Sequence, residues 1–267
     1  MIFYDFMPEN AQECKVSAWI HSTNGSPEMI QHLHPAIIIC PGGGYKMVSA
    51  REAEPVAEPY FAAGFNVFIL TYSVGEKAGN FAPLSQLALT IAHIRKYSEQ
   101  LHTEKNQIAV CGFSAGGHLA ASLGTLFNEE DFLRVFSSKC DIRPDAMVLS
   151  YPVITADEFA HVGSIEKVSL DRVGGERYCW FGLDRHVDGQ TPPTFLWHTA
   201  EDQTVPVENS LKFAMALSNS KVPFELHVFP EGRHGMSVCT KAVGSEDPYN
   251  ARWVELSILW LKKTLNC

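Results

Sequence analysis

Apolar runs without alternation recur along this chain at residues 35–40 (Pro-Ala-Ile-Ile-Ile-Cys), 66–72 (Asn-Val-Phe-Ile-Leu-Thr-Tyr), 107–113, 145–152 and 194–198 (Thr-Phe-Leu-Trp-His). Runs of that kind suit parallel strands covered on both faces. Residues 15–22 and 224–229 alternate apolar with polar instead, which predicts strands with one face in water. Residues 51–64, closing on Gly64, 83 to about 100, the small-residue run after Ser114, and 207–219 predict helices. Asn24-Gly25-Ser26-Pro27 predicts a turn. Strands and helices taking turns in this way predict an α/β chain, a mostly parallel sheet with helices on both faces.

Residues 153–192 break the rhythm. They carry acids, glycines and the cluster Tyr178-Cys179-Trp180-Phe181, between two strands that need only a short crossover. An insertion there lies on the carboxyl side of the sheet and predicts a partial cap within a single domain spanning 1–267. The same aromatics would serve as well to anchor a loop against the body, and the pattern does not choose between the two.

Composition narrows the function classes. The 30 acidic against 21 basic residues give a net charge of −9, with no local Lys/Arg cluster, which argues against a nucleic acid or an anionic membrane as partner. The seven cysteines are scattered, without C-x-x-C or zinc spacing, and Cys40 and Cys111 end apolar runs as small hydrophobes would. The first nine residues lack the basic-then-apolar pattern of a secretory signal, and the apolar runs are strand-sized, so a reduced, cytoplasmic protein is expected.

The chemistry gathers at strand ends. Gly112-Phe113-Ser114-Ala115-Gly116 is a G-x-S-x-G pattern between a strand and a helix, where glycines two before and two after the serine allow a sharp turn. A serine hydroxyl needs a base, and a base needs an acid to orient it. Asp202 follows the strand at 194–198, and His234 lies in the exit loop Pro230-Glu231-Gly232-Arg233-His234-Gly235-Met236, giving the order serine, acid, histidine. Asp202 could instead cap a turn, and Glu201 competes for the role. His118 and His198 are expected to be structural. Pro41-Gly42-Gly43-Gly44-Tyr45 follows the first buried strand; a flexible turn is the bland alternative, and the Gly-Lys-Ser/Thr of a phosphate loop is missing.

Together, Pro41-Gly42-Gly43-Gly44-Tyr45, Gly112 to Ala120, the Asp202 to Val205-Pro206 spacing and Gly232-Arg233-His234-Gly235 resemble the α/β-hydrolase esterases related to hormone-sensitive lipase. More closely they are similar to the small bacterial acetyl esterase and xylanase-associated acetylxylan esterase group. One departure is Cys40-Pro41 before the glycines, where hormone-sensitive-lipase relatives usually carry histidine. The resemblance implies an α/β-hydrolase fold with an eight-stranded sheet and a small cap, and an oxyanion hole made by the Gly43, Gly44 and Ala115 N–H groups. It implies a serine esterase acting on short-chain acetyl esters, carbohydrates such as xylo-oligosaccharides among them, with no metal or cofactor. A general short-chain carboxylesterase, an arylformamidase, a lyase with the same triad and a non-catalytic hydrolase-fold binding protein are the alternatives. The expected partner is a small-molecule ester; self-association is left open. Tyr45, Trp180 and Phe181 are candidate pocket walls, since aromatic faces suit sugar rings, with core packing as the alternative.

Overall fold

The computed structural model describes residues 1–22, 28, 32–136 and 141–267; the turn read at 24–27 falls outside them. The strands are β1 (Ile2–Phe6), β2 (Lys15–Ile20), β3 (His34–Cys40), β4 (Asn66–Thr71), β5 (Thr103–Phe113), β6 (Ala146–Ser150), β7 (Thr194–Thr199) and β8 (Phe224–Phe229). They form one sheet in the order β1-β2-β4-β3-β5-β6-β7-β8. β2 runs antiparallel to β1 and to β4, and every other pair is parallel. The helices are α1 (Glu54–Ala62), α2 (Ala82–Lys96), α3 (Ala115–Leu126), α4 (Glu130–Leu133), α5 (Val162–Ser169), α6 (Glu176–Trp180), α7 (Glu208–Asn219) and α8 (Arg252–Leu265).

Because successive strand side chains point to opposite faces, the apolar runs feed two cores at once. Ile38 and Cys40 of β3 pack with Leu87 and Ile91 of α2, Leu119 and Leu123 of α3 and Phe213 of α7. Ile37 and Ile39 pack on the other side with Val56 and Tyr60 of α1 and Trp253 and Leu261 of α8. This two-sided burial is what the continuous apolar runs encode. Among the described residues no helix is long and apolar enough to cross a membrane.

The observed elements differ from the expected ones mainly at their ends. The region 51–64 divides at Ala53 into a tight turn, Ala50–Glu52, and α1. The helix expected to reach about 100 ends at Lys96, and the elbow strand starts at Thr103 rather than 107. Two elements carried no prediction of their own: β1, four of whose five residues are exposed, and the amphipathic α8. The insertion 153–192 holds α5, α6 and the turn Leu183–Arg185, and its Ile165, Val168, Tyr178 and Leu183 are fully part of the core on the α2 side.

The parallel strands β3, β5, β7 and β8 point the same way, so their carboxyl ends meet at one edge. That edge receives the glycine loop, Ser114, Asp202 and His234.

Candidate active site

Ser114 stands between β5 and α3 with φ 53° and ψ −119°, a backbone conformation that a residue with a side chain adopts at a cost. The turn is tight enough that a Cβ on Gly112 would lie 2.2 Å from the Gly116 carbonyl oxygen, and one on Gly116 would lie 2.0 Å from that of Cys40. Glycine at both positions is therefore a steric requirement of the elbow. Ser114 N–H donates to Ser150 O at 3.0 Å, which locks the corner to the neighbouring strand.

Three side chains from three loops form one hydrogen-bonded line. His234 Nε2 lies 2.9 Å from Ser114 Oγ, and His234 Nδ1 lies 2.6 Å from Asp202 Oδ2. The Asp202 carboxylate accepts, so Nδ1 carries the proton and Nε2 is free to take one from the serine. Asp202 Oδ1 accepts from Thr204 N–H at 2.9 Å and Val205 N–H at 3.0 Å, and His198 Nε2 approaches Oδ2 at 3.3 Å. Burial would push the Asp202 carboxyl up, but His198, His234 and the Val205 N–H outweigh it and hold the carboxyl far below the ordinary range. Glu201 is exposed and outside this line. His198 packs beneath Asp202 as expected, its Nδ1 at 2.7 Å from Ser210 Oγ. The histidine loop is fixed by Arg233, which donates to Gly244 O and Ser245 Oγ, and by Asn250, which donates to Glu231 O.

Gly43 and Gly44 line the same cleft, about 460 Å³ in volume, with Ser114, His161, Thr204 and His234. Inside the loop the carbonyl of Gly42 accepts from Ser49 N–H and that of Gly43 from Lys46 N–H. Gly42 N–H goes to Glu52 Oε2 at 2.8 Å. Among the described residues the Gly43 and Gly44 N–H groups have no internal acceptor, and Ala115, as the first residue of α3, has none within its helix.

The aromatic candidates do not wall this cleft. Tyr45 has φ 54°, and that left-handed backbone turns its ring back into the core, where it is 1% exposed. Its hydroxyl lies 3.0 Å from His118 Nδ1, and Phe181, also buried, gives its carbonyl to His118 Nε2 at 3.1 Å. His118 is therefore the structural residue the sequence suggested, and two of the expected pocket residues are its packing partners. Trp180 lines a different cavity of about 630 Å³, with Phe81, Arg134 and Arg177.

What the insertion does bring to the cleft is His161, which the sequence reading did not single out because no motif surrounds it. It precedes α5, and its Nδ1 lies 2.8 Å from Ser164 Oγ. Burial, then repulsion from His234 when that ring is protonated and from Lys46, hold the imidazole below its ordinary pKa, against the pull of Asp202. Glu52 was likewise invisible in the sequence: it lies in the short turn before α1, and its carboxylate reaches both Gly42 and Tyr151.

Sheet order, elbow and the serine–histidine–aspartate line are those of the α/β hydrolases. The chain belongs to the BD-FAE family, whose model matches residues 26–173. It is 34% identical over 221 residues to endo-1,4-beta-xylanase B of Butyrivibrio fibrisolvens, covering 79% of this chain and 35% of that protein. It is 27% identical over 255 residues to an acetylxylan esterase of Xylanibacter ruminicola, covering 88% and 48%. The crystal structure of an acetyl ester-xyloside bifunctional hydrolase from Caldicellulosiruptor lactoaceticus superposes with a TM-score of 0.82 at 37% identity, covering 97% of this chain and 90% of that one. The chain spans only 35% to 53% of the length of the curated relatives it matches.

Proposed function

We propose that this protein is a serine esterase that removes acetyl and similarly short acyl groups from carbohydrate hydroxyls, with acetylated xylo-oligosaccharides as the representative substrate. The observation that carries it is the unbroken line Ser114–His234–Asp202 opening into a cleft bordered by Gly43 and Gly44. The sugar is supported by the names of two relatives, an acetylxylan esterase and an acetyl ester-xyloside bifunctional hydrolase.

In this reading Ser114 Oγ attacks the ester carbonyl while His234 Nε2 takes its proton. The carbonyl oxygen becomes an anion held by the N–H groups of Gly43, Gly44 and Ala115, each good donor lowering the barrier by about 3 kcal/mol. Asp202 keeps the imidazole in the correct tautomer and stabilises it once charged. His234 returns the proton to the leaving sugar oxygen, and water, activated by the same imidazole, releases the acid from the acyl-serine. Every proton transfer is accounted for by these side chains. A reducing compartment, the cytoplasm, belongs to the same proposal and is supported by the free state of the six described cysteines.

The test is acetate release from acetylated xylo-oligosaccharides beside hydrolysis of aryl esters of increasing acyl length, with Ser114→Ala as the blank. Acetate release that exceeds the aryl esters in kcat/KM is the expected result. Turnover of short aryl esters alone would keep the esterase and remove the sugar.

A further inference from the structure

Glu52 is a buried carboxylate, 3% exposed, in the wall of the catalytic cleft, and among the described residues no cation forms an ion pair with it. Burying a charge without a counter-charge is costly, so its surroundings must repay it through hydrogen bonds. Two donors do this, one on each oxygen. Gly42 N–H donates to Oε2 at 2.8 Å, and the Tyr151 hydroxyl donates to Oε1 at 2.8 Å. Tyr151 Oη then accepts from Ser237 N–H at 2.9 Å, three residues beyond His234, and Ser237 Oγ donates to the Arg51 carbonyl beside Glu52. Tyr151 itself is held at φ 37° immediately after β6, and its ring meets the His234 ring edge-on at 5.0 Å.

The route therefore runs from the glycine loop after β3, through Glu52 and Tyr151, to the histidine loop after β8. An ionised carboxylate has acceptors only, so it satisfies both donors; an amide of the same shape has to turn an N–H₂ toward one of them. Committing Gly42 N–H to Glu52 also fixes the peptide that precedes Gly43 and Gly44. We propose that Glu52 is a positioning residue, which sets the oxyanion loop and, through Tyr151, the histidine loop in one mutual geometry. The proposal rests on the esterase reading of Ser114 and His234.

The experiment measures kcat and KM of the full chain on a short chromogenic aryl ester, with active serines titrated to completion by a fluorophosphonate. Titration removes unfolded molecules from the comparison, so a carboxylate that merely held the fold would leave kcat per active serine unchanged. Glu52→Gln is expected to lower that value by about tenfold or more with KM within about threefold, because a displaced donor acts on the transition state rather than on ground-state binding. Tyr151→Phe keeps the Gly42 bond and removes the histidine-loop arm, and is expected to lower it by about fivefold or more. Should Glu52→Gln yield no folded chain, Glu52→Asp is read by the same criterion, since its shorter arm cannot span both donors. Either variant within about twofold of wild type per active serine overturns the proposal. Wild type that takes no label and cleaves no ester overturns the esterase reading itself, whereas an active wild type beside unimpaired variants overturns this proposal alone.

Discussion

Tyr45 Oη and His118 Nδ1 lie 3.0 Å apart inside the core, behind the glycine loop rather than in front of it. His118 donates through Nε2 to the Phe181 carbonyl, so Nδ1 is the acceptor and Tyr45 the donor. Tyr45→Phe is then expected to cost about 1 kcal/mol of stability, because Ser122 Oγ, 3.4 Å from the same Nδ1, makes up only part of the lost bond, while preference among acyl lengths stays unchanged. Urea denaturation and a short panel of aryl esters measure both. A shift in preference without loss of stability would return Tyr45 to the pocket wall.

Burial pushes His118 down to about 4, against the opposing pull of the Phe181 carbonyl. The unfolded chain, with an ordinary imidazole near pKa 6.5, binds the proton first as pH falls. The stabilisation is therefore whole above about pH 6.5 and is lost progressively toward pH 4, amounting to about 3 kcal/mol. Melting temperature should fall over that window in wild type and fall less in His118→Gln. Equal pH slopes in the two proteins would show that His118 does not carry the effect.

Ser114→Ala and His234→Ala are each expected to remove nearly all turnover without unfolding the protein, a loss of about 10⁴-fold or more. Asp202→Asn should lose a comparable amount, because the amide has no charge to stabilise the imidazolium and its N–H₂ can donate to Nδ1 and favour the wrong tautomer. Glu201→Gln should stay near wild type, the side chain being exposed and outside the hydrogen-bonded line. Kinetics of the four variants on one ester decide the acid; a damaged Glu201→Gln beside a healthy Asp202→Asn reverses the assignment.

His161 reaches the cleft with Nδ1 engaged by Ser164 Oγ, which leaves Nε2 as the nitrogen available to a substrate hydroxyl. His161→Ala is expected to raise KM about fivefold for a sugar ester, the worth of one ordinary hydrogen bond, and to leave kcat near wild type. Aryl acetates lack that hydroxyl and serve as the internal control. An equal change on both substrates would mark His161 as a packing residue.

Gly116→Ala puts a methyl group 2.0 Å from the Cys40 carbonyl oxygen, backbone against backbone. Neither side can yield without moving β3 or the elbow, so the expected loss exceeds about 3 kcal/mol, and soluble yield at 37 °C should collapse. A stable, active Gly116→Ala would mean that the corner is far looser than its geometry.

How much of this was legible in the sequence follows from what each residue is asked to do. Ser114, Asp202 and His234 stand in loops whose glycines and strand spacing are dictated by backbone sterics, and sterics leave a mark in sequence. Ile37 to Cys40 reported their two-sided burial in the same direct way. Tyr45 misled because its direction is set by one left-handed dihedral, which its neighbours Gly44 and Lys46 do not announce. Glu52 and His161 were silent because what gives each its place, Tyr151 in one case and the shared cleft with Ser114 and His234 in the other, is distant in the chain and meets it only after the sheet has formed. β1 was silent because most of its side chains face water, so its place is fixed by pairing with β2 rather than by an apolar pattern.

The insertion leaves the sheet after β6 and returns at β7, two strands that are paired side by side with Met147 opposite Thr194. Its two ends are thus anchored to neighbouring points of a fixed frame, and it meets the catalytic cleft through His161. A segment attached in that way can be exchanged without shifting the register of any strand or moving the three side chains that do the chemistry. Whatever replaces it must refill the space of Ile165, Val168 and Tyr178 over α2 and α3, and must return the Val153 N–H to the Ser114 carbonyl and the Phe181 carbonyl to His118. Reactivity therefore sits on the frame, and the replaceable part reaches it at one cleft residue, His161.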